Sequence, residues 1–92
     1  MEFEWDMAKS DLCQISRNFD FAYVISIFVD PNLLIEKDQR WDYGEERFRL
    51  MGMLKGRVFV VVCTKRPKAM RIISARRANR REVKHYEENH SS

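Results

Sequence analysis

Four arginines stand close together near the end of the chain, where a predicted strand gives way to a predicted helix. They are Arg76, Arg77, Arg80 and Arg81, and the helix is predicted to begin after Asn79. Cations at the N-terminus of a helix oppose the positive end of its dipole, so helix stability does not explain their placement. The guanidinium group forms forked hydrogen bonds with phosphate. The cluster therefore predicts a binding site for an anionic partner.

Short-range patterns predict the elements on either side of this cluster. Residues 70–75 have the pattern of a strand, whose successive side chains point to opposite sides of the sheet. One side carries Met70, Ile72 and Ser74, and the other carries Arg71, Ile73 and Ala75. Asn79 is a favourable N-cap, and Glu82 follows it at the spacing of a capping box. The arginines are thus expected at a strand end and in the first turn of a helix.

The charge of the chain is divided unevenly along its length. The 92 residues have a net charge of +3, yet residues 1–46 sum to −7 and residues 47–92 to +10. Nine of the 17 basic residues lie between Lys65 and Lys84, and six of those nine are arginines. A polarised field of this kind favours a polyanion on the basic side. The alternative is an ordinary solvated surface, for which lysine would be the commoner residue.

Most catalytic and metal-binding motifs are absent from the sequence. The three glycines are isolated, so there is no glycine-rich phosphate loop. The two histidines and two cysteines lack the spacing of a metal site, and no nucleophile triad is suggested. No apolar run is long enough to span a membrane, and the acidic N-terminal residues do not resemble a signal peptide. We therefore expect no cofactor, no metal, reduced cysteines and a cytoplasmic protein without membrane contact.

The hydrophobic pattern predicts one α+β domain covering residues 1–92, with two N-terminal helices, an antiparallel meander and a C-terminal helix. Asp6 and Asp20 are predicted to cap helices over residues 7–17 and 21–28, after a possible short strand at residues 3–5. Strands are predicted to begin at residues 33–35 and to cover 47–54, 58–63 and 69–75, with a tight turn at Lys55-Gly56. The helices are expected against one face of the sheet. In the first helix the stripe expected to face the core is Ala8, Leu12, Ile15 and Phe19.

Two surface features leave alternatives open. Lys9, Cys13 and Arg17 form a second stripe on the first helix, which either lines a groove or is simply solvated. Trp41 and Tyr43 are either exposed, where their rings could stack on bases or anchor a partner, or folded over the edge of the core.

The residues available for chemistry suit the cleavage of RNA. This reaction needs no external nucleophile, because the 2′-hydroxyl group of the substrate attacks the adjacent phosphate. Arginines placed around that phosphate can supply electrostatic stabilisation of the transition state. General acid and base roles then require a residue that moves protons, and Glu45 and Tyr86 are the candidates. Lys9 and Arg40 are expected to contribute to the phosphate site.

Several blocks spread over nearly the whole chain carry a family resemblance. They are Phe3-Glu4-Trp5-Asp6 with Lys9, Phe21 and Phe28 before Asp30-Pro31, Asp38 with Arg40, Gly44-Glu45-Glu46-Arg47-Phe48, and Arg71 to Ala78 followed by Arg80, Arg81, Glu82 and Tyr86. With these blocks in this order and spacing, the chain resembles the BrnT toxins, which are the ribonuclease half of a type II toxin–antitoxin module. The resemblance implies a fold similar to the RelE group of small ribonucleases.

The resemblance also implies an activity and a set of partners. The expected activity is a metal-independent endoribonuclease that cleaves RNA with little sequence preference and inhibits translation. The expected partner is an antitoxin of the BrnA type, which covers the toxin, dimerises and binds the promoter of its own operon. Promoter DNA would therefore be contacted only indirectly, through the antitoxin.

The first helix departs from the family pattern. Its lysine is usually followed, at successive four-residue steps, by an asparagine and a histidine, whereas this chain has Cys13 and Arg17. Arginine cannot exchange protons near neutral pH. Two further hypotheses therefore stand beside the toxin. One is a non-catalytic basic module that binds nucleic acid or antitoxin with a degenerate active site, and the other is a structural subunit that docks an acidic antitoxin.

These arguments give two sets of predicted site residues. The predicted catalytic residues are Lys9, Arg40, Glu45, Arg76, Arg77 and Tyr86. The predicted RNA-binding residues are Arg17, Arg71, Arg80, Arg81 and Lys84.

Overall fold

Helices and strands form an α+β arrangement in a computed structural model, which describes residues 2–39 and 44–90. In chain order the elements are β1 (Phe3–Trp5), α1 (Met7–Arg17), α2 (Phe21–Val24), a 3-10 helix (Ile25–Val29), β2 (Leu34–Asp38), β3 (Arg47–Leu54), β4 (Arg57–Arg66), β5 (Ala69–Arg77) and α3 (Arg80–His90). Arg40, Trp41 and Tyr43 lie outside the described residues, so the hypotheses that name them stay predictions. None of the described helices is long and apolar enough to cross a bilayer.

The strands of the described residues form one sheet in the order β1-β5-β4-β3-β2. The predicted antiparallel meander is confirmed for β2 to β5. The sheet as a whole is mixed, because β1 precedes the helices and pairs in parallel with β5. The predicted turn between β3 and β4 is also confirmed, since Lys55 and Gly56 have φ values of 51° and 79°.

Helix starts are determined by local side chains, as predicted. Asp6 and Asp20 each accept a hydrogen bond of 2.9 Å from a backbone N–H in the first turn of α1 and α2. At the start of α3 the backbone N–H groups of Asn79 and Glu82 each donate to the side chain of the other, both at 2.9 Å. The capping box is therefore confirmed.

Helices cover both faces of the sheet, so the prediction of helices against one face is wrong. On the first face, α1, α2 and the 3-10 helix pack on a core that includes Phe59 and Val61. On the second face, Tyr86 of α3 packs on Val58 and Val60. The cause is β4, whose alternating side chains are apolar on both sides and must be shielded from water on both.

Helix α1 packs through a different stripe from the one predicted. Leu12 and Ile15 are 62% and 80% exposed, whereas Ser10 and Cys13 are buried. The hydroxyl oxygen of Ser10 accepts a hydrogen bond from a backbone N–H in α2 at 3.1 Å. The thiol of Cys13 donates to the carbonyl oxygen of Ala75 on β5 at 3.6 Å, and burial raises its pKa. Small side chains thus bring α1 close to the sheet, and its larger apolar side chains face outward.

A β-bulge in β5 breaks the predicted alternation. Val62 pairs with Ser74, but the next residue of β4, Cys63, pairs with Ile72, which leaves Ile73 without a partner on β4. One extra residue on a strand reverses the side to which all later residues point.

The bulge decides which face each arginine of β5 occupies. Ile72 and Ala75 both lie in the core of the first face, although the alternation predicts opposite sides. Arg71 pairs with a second-face residue of β4, as does Arg76, whereas Arg77 pairs with Phe59 of the first face. Consecutive arginines at the end of β5 therefore point to opposite faces of the sheet.

A close approach between the 3-10 helix and β3 requires a glycine. A Cβ atom on Gly52 would lie 2.7 Å from the Cβ atom of Ile27. The contact fixes the end of the 3-10 helix, and with it the position of Asp30.

Candidate active site

Helix α3 packs on one part of the second face, over Met51, Val58 and Val60. On the other part of this face, strand pairing places the side chains in two rows across the sheet, and Asp38 and Thr64 among them are buried. The row nearer α3 contains Glu36, Arg49, Val62 and Ser74, and the next row contains Asp38, Arg47, Thr64, Arg71 and Glu4. We refer to these two rows as the open face.

Arginines on and beside the open face are ion-paired with carboxylates. The nitrogen–oxygen distances are 3.6 Å for Arg47–Glu45, 3.2 Å for Arg49–Glu36, 3.0 Å for Arg66–Glu45, 3.6 Å for Arg71–Glu4 and 2.7 Å for Arg76–Glu82. We call this set the arginine network. Exposed pairs of this kind contribute little to stability. Their effect is to hold the guanidinium groups in fixed positions on one surface.

Arg76 is the most tightly held member of the network. Its two terminal nitrogens donate to the two carboxylate oxygens of Glu82 at 2.7 and 2.8 Å. The hydrogen bonds from Arg76 lower the pKa of Glu82 to about 2, and the charge of Arg49 contributes. The guanidinium fork of Arg76 is therefore directed at the carboxylate that also caps α3.

The predicted arginine cluster does not form a single cradle. Arg77 lies on the first face, 5.6 Å from the ring centroid of Phe19, and donates to the carbonyl oxygen of Arg17 at 3.4 Å. Arg80 and Arg81 are exposed at the start of α3, and Lys84 is exposed further along it. The predicted residues that the structure does bring together are Glu45, Arg71 and Arg76, all in the arginine network.

A chain of polar contacts links α3 to two strands at the edge of the open face. The Nε2 atom of His85 lies 3.0 Å from Oε2 of Glu36, whose other oxygen accepts from Nη2 of Arg49 at 3.2 Å. The hydrogen bond from His85 is the largest cause of the lowered pKa of Glu36. The other ring nitrogen of His85 lies 3.2 Å from the amide nitrogen of Asn89. The orientation of the imidazole is therefore fixed from both sides.

Arg49 keeps hydrogen-bonding capacity that the described residues do not use. Its Nη2 atom is bonded to Glu36, but its buried Nε atom has no partner among residues 2–39 and 44–90. Unsatisfied buried donors are uncommon in folded proteins and are expected where a group has a role other than stability. Because this Nε atom is buried, a ligand would have to meet Arg49 at its terminal nitrogens, and Arg49 reaches the imidazole of His85 through their shared partner Glu36.

Tyr86 lies in the core rather than on the open face. It is 2% exposed, and its hydroxyl group donates to a carboxylate oxygen of Asp30. Burial raises the pKa of Tyr86 to about 12, and the hydrogen bond to Asp30 acts in the same direction. The same oxygen of Asp30 accepts from the backbone N–H of Met53 at 2.7 Å. The structure thus gives Tyr86 the contacts of a residue that attaches α3 to the sheet.

Lys9 and Arg17 lie apart from the arginine network. Together with Cys13 they line a small groove of about 160 Å³ between α1 and β5, which also includes Ser74. Both alternatives left open by the sequence hold in part, because the stripe borders this groove while Lys9 and Arg17 are exposed and only Cys13 is buried. Among the described residues no group of His, Cys, Asp or Glu side chains could hold a metal ion.

The chain matches one protein family over most of its length. Residues 5–82 match the family described as the ribonuclease toxin BrnT of type II toxin–antitoxin systems. The chain belongs to the BrnT family. The predicted membership of this family is confirmed, and the chain is a toxin of a family of ribonucleases that work with an antitoxin. No curated protein matches the chain. The similarity to the RelE group stays a prediction.

Sequence reasoning missed Glu36, Arg49 and His85 of this BrnT chain. The family match covers the first two and ends three residues before His85. One local signal existed, because Glu82 and His85 are three residues apart and therefore share a side of α3. Nothing in the sequence, however, indicated that this side meets β2 and β3.

Proposed function

We propose that this BrnT protein is an endoribonuclease that cleaves RNA without a metal ion and inhibits translation in the cytoplasm. We further propose that a BrnA-type antitoxin neutralises it and links it indirectly to promoter DNA. The observation that supports catalysis is the contact chain His85–Glu36–Arg49 at the edge of the open face. It combines a group that can exchange protons with a group that can stabilise a phosphate.

The cleavage step uses the 2′-hydroxyl group of the RNA as its nucleophile. The Nδ1 atom of His85 accepts the proton of this hydroxyl group, after the amide of Asn89 has moved aside, while the 2′-oxygen bonds to the adjacent phosphorus. The bond from phosphorus to the 5′-oxygen breaks, and that oxygen takes a proton from water. The products are a 2′,3′-cyclic phosphate and a 5′-hydroxyl end.

Arg49 and Glu36 have separate roles in this scheme. Arg49 donates hydrogen bonds to the non-bridging phosphate oxygens, on which charge accumulates in the transition state. Glu36 holds the ring of His85 in one orientation, which is the role of the carboxylate in many catalytic His–carboxylate pairs. The lowered pKa of Glu36 keeps it ionised for that role. His85 would thereby supply the imidazole that the first helix of this chain lacks.

The same ion pairs also favour the alternative of a non-catalytic binding module. Each arginine of the network already faces a carboxylate, and a paired cation attracts a phosphate less than a free one. On this alternative the open face would bind RNA or antitoxin without cutting RNA.

Two assays test the proposal. Expression of the chain alone is expected to arrest growth, and co-expression of its antitoxin is expected to restore growth. The purified chain is expected to cut RNA in the presence of a metal chelator and to leave cyclic phosphate ends. Normal growth with folded toxin at high level, together with intact RNA, would overturn the proposal. Salt-sensitive RNA binding without cleavage would establish the binding module instead.

A further inference from the structure

A concave site lies on the first face, at the end of the sheet where β3 turns into β4. Its volume is about 460 Å³, within the range of about 300–1,000 Å³ typical of small-molecule pockets. Its lining residues are Gln14, Asn18, Phe19, Asp20, Tyr23, Leu54, Lys55, Arg57, Phe59 and Arg77. We refer to it as the cleft. It shares no residue with the open face or the arginine network.

Aromatic rings form one wall of the cleft. The ring centroid of Phe19 lies 5.0 Å from that of Phe59 and 6.5 Å from that of Tyr23, and the Tyr23 and Phe59 centroids are 6.2 Å apart. Phe19 and Phe59 are buried, whereas Tyr23 is 38% exposed. Tyr23 therefore offers a ring, supported by two others, to a molecule in the cleft.

Cations surround these rings without carboxylate partners. The ammonium group of Lys55 lies 5.8 Å from the centroid of Tyr23, and Arg77 lies over Phe19. Among residues 2–39 and 44–90, neither of these nor Arg57 has a carboxylate within ion-pair distance. The acidic residue in the lining, Asp20, uses a carboxylate oxygen to cap α2. The cleft thus keeps an uncompensated positive charge.

We propose that the cleft binds a nucleotide of single-stranded RNA, with its base against Tyr23 and its phosphate between Arg57 and Arg77. An exposed ring beside uncompensated cations is the combination by which small domains bind single strands, because rings stack on bases and cations contact the backbone. The inference rests on the proposed function only in taking RNA as the ligand.

The end of β5 provides a route between the cleft and the open face. β1 pairs with residues 70–72 of β5, and within residues 2–39 and 44–90 no strand lies beside the edge of β5 from Ile73 onward. At this edge Arg76 points to the second face and Arg77 to the first. A strand of RNA crossing it would also pass the groove that contains Lys9 and Arg17. Glu36 lies on β2, three strands away from β5, so the cleft would hold a nucleotide several positions along the strand from the one that is cleaved.

Binding of an RNA that cannot be cleaved tests this inference apart from catalysis. The probe is a fluorescein-labelled single strand of about twelve nucleotides, within the site sizes of small single-strand-binding domains, with a 2′-O-methyl group on every ribose. Fluorescence anisotropy then measures the dissociation constant of the full chain at several salt concentrations. Tyr23→Leu and Arg57→Gln are each expected to weaken binding about tenfold. Arg57→Gln is also expected to reduce the salt slope by about 0.7.

Matched variants separate the cleft from general charge and from misfolding. Tyr23→Phe keeps the ring, and Lys68→Gln removes one exposed cation at the opposite end of β4, so both should bind the probe as the unmutated chain does. If Tyr23→Leu fails to fold, Arg57→Gln, at an exposed position, carries the test with its own expected loss.

The outcomes distinguish this inference from the proposed function. Equal binding by Arg57→Gln and Lys68→Gln would overturn the inference, even if the chain cleaves RNA. If Tyr23→Leu and Arg57→Gln bind the probe normally but no longer bind the antitoxin, the inference is also overturned, and the cleft is a protein-docking surface. Weakened probe binding would support it even in a chain that proved unable to cleave RNA.

Discussion

The open face and the cleft are both rich in cations, but their cations are held in different ways. Every guanidinium of the arginine network faces a carboxylate of the chain, as Arg49 faces Glu36 at 3.2 Å. In the cleft, Arg57 and Lys55 have no such partner among the described residues. A paired cation has a fixed orientation and a reduced attraction for a further anion, whereas an unpaired one attracts any phosphate.

This difference predicts a division between catalysis and binding. Only interactions that are stronger in the transition state than in the ground state accelerate a reaction. Fixed guanidinium groups meet that condition, because they need no reorganisation when charge develops on the phosphate. Variants of the open face should therefore lower kcat, and variants of the cleft should raise KM.

The largest expected effect follows from Arg49→Ala. Loss of its donors should lower kcat for RNA cleavage by about 10²- to 10³-fold, the usual effect of removing one donor to a developing oxyanion, while KM changes little. Arg49→Lys keeps the charge without the forked donors and should recover only part of the rate. Steady-state kinetics on one short RNA would measure both constants. A raised KM with unchanged kcat would remove the distinction between the two regions.

His85→Gln should lower kcat by about 10²-fold, because it removes the proposed general base. Steady-state kinetics of both chains at a series of pH values would measure kcat and its pH profile. Glu87→Gln, an exposed position on the same helix, serves as the control and should retain activity. An identical pH profile in His85→Gln would exclude His85 from proton transfer.

Local features of this fold could be predicted from the sequence because neighbouring residues determine them. The capping box of Asn79 and Glu82, the Lys55-Gly56 turn and the extents of most strands depend on side chains within a few positions. The faces of α1 and β5 could not be predicted in the same way. Leu12 and Ile15 follow the pattern of a buried stripe, yet α1 approaches the sheet through smaller side chains.

The candidate site was harder to predict than the fold. The bulge at Ile73 adds one residue to β5, and the sequence of β5 fits a regular strand equally well, so nothing in it indicates the bulge. The bulge nevertheless reverses the face to which every later arginine points. The residues of the contact chain, Glu36, Arg49 and His85, come from β2, β3 and α3, so no sequence spacing relates them. Type and approximate place of the arginines were predictable, and their partners were not.

Glu82→Gln should lower the free energy of unfolding by about 2 kcal/mol at pH 7, because it removes the ion pair with Arg76. The loss is smaller than the shift in the pKa of Glu82 alone implies, because solvent screens part of this pair. The pKa of Glu82 is lowered from 4.5 to about 2 in the folded chain. Its stabilisation is therefore complete above about pH 4.5 and is lost as the pH falls through 2. Urea unfolding of both chains between these values should show the difference disappearing. Glu87→Gln, on the exposed side of α3, is the control, and an equal loss there would contradict the assignment.

Tyr86→Phe should have the smallest effect, and on stability alone. The change removes one hydrogen bond to Asp30, which still accepts from the backbone of Met53, so the loss should be about 1 kcal/mol. Because the hydroxyl group is buried, and its pKa of about 12 keeps it protonated, kcat and its pH dependence should match those of the unmutated chain. Urea unfolding and cleavage assays on one preparation would measure both. A fall in kcat without a fall in stability would place the hydroxyl group in the reaction, and proton transfer would then pass from the edge of the open face to the core beneath α3.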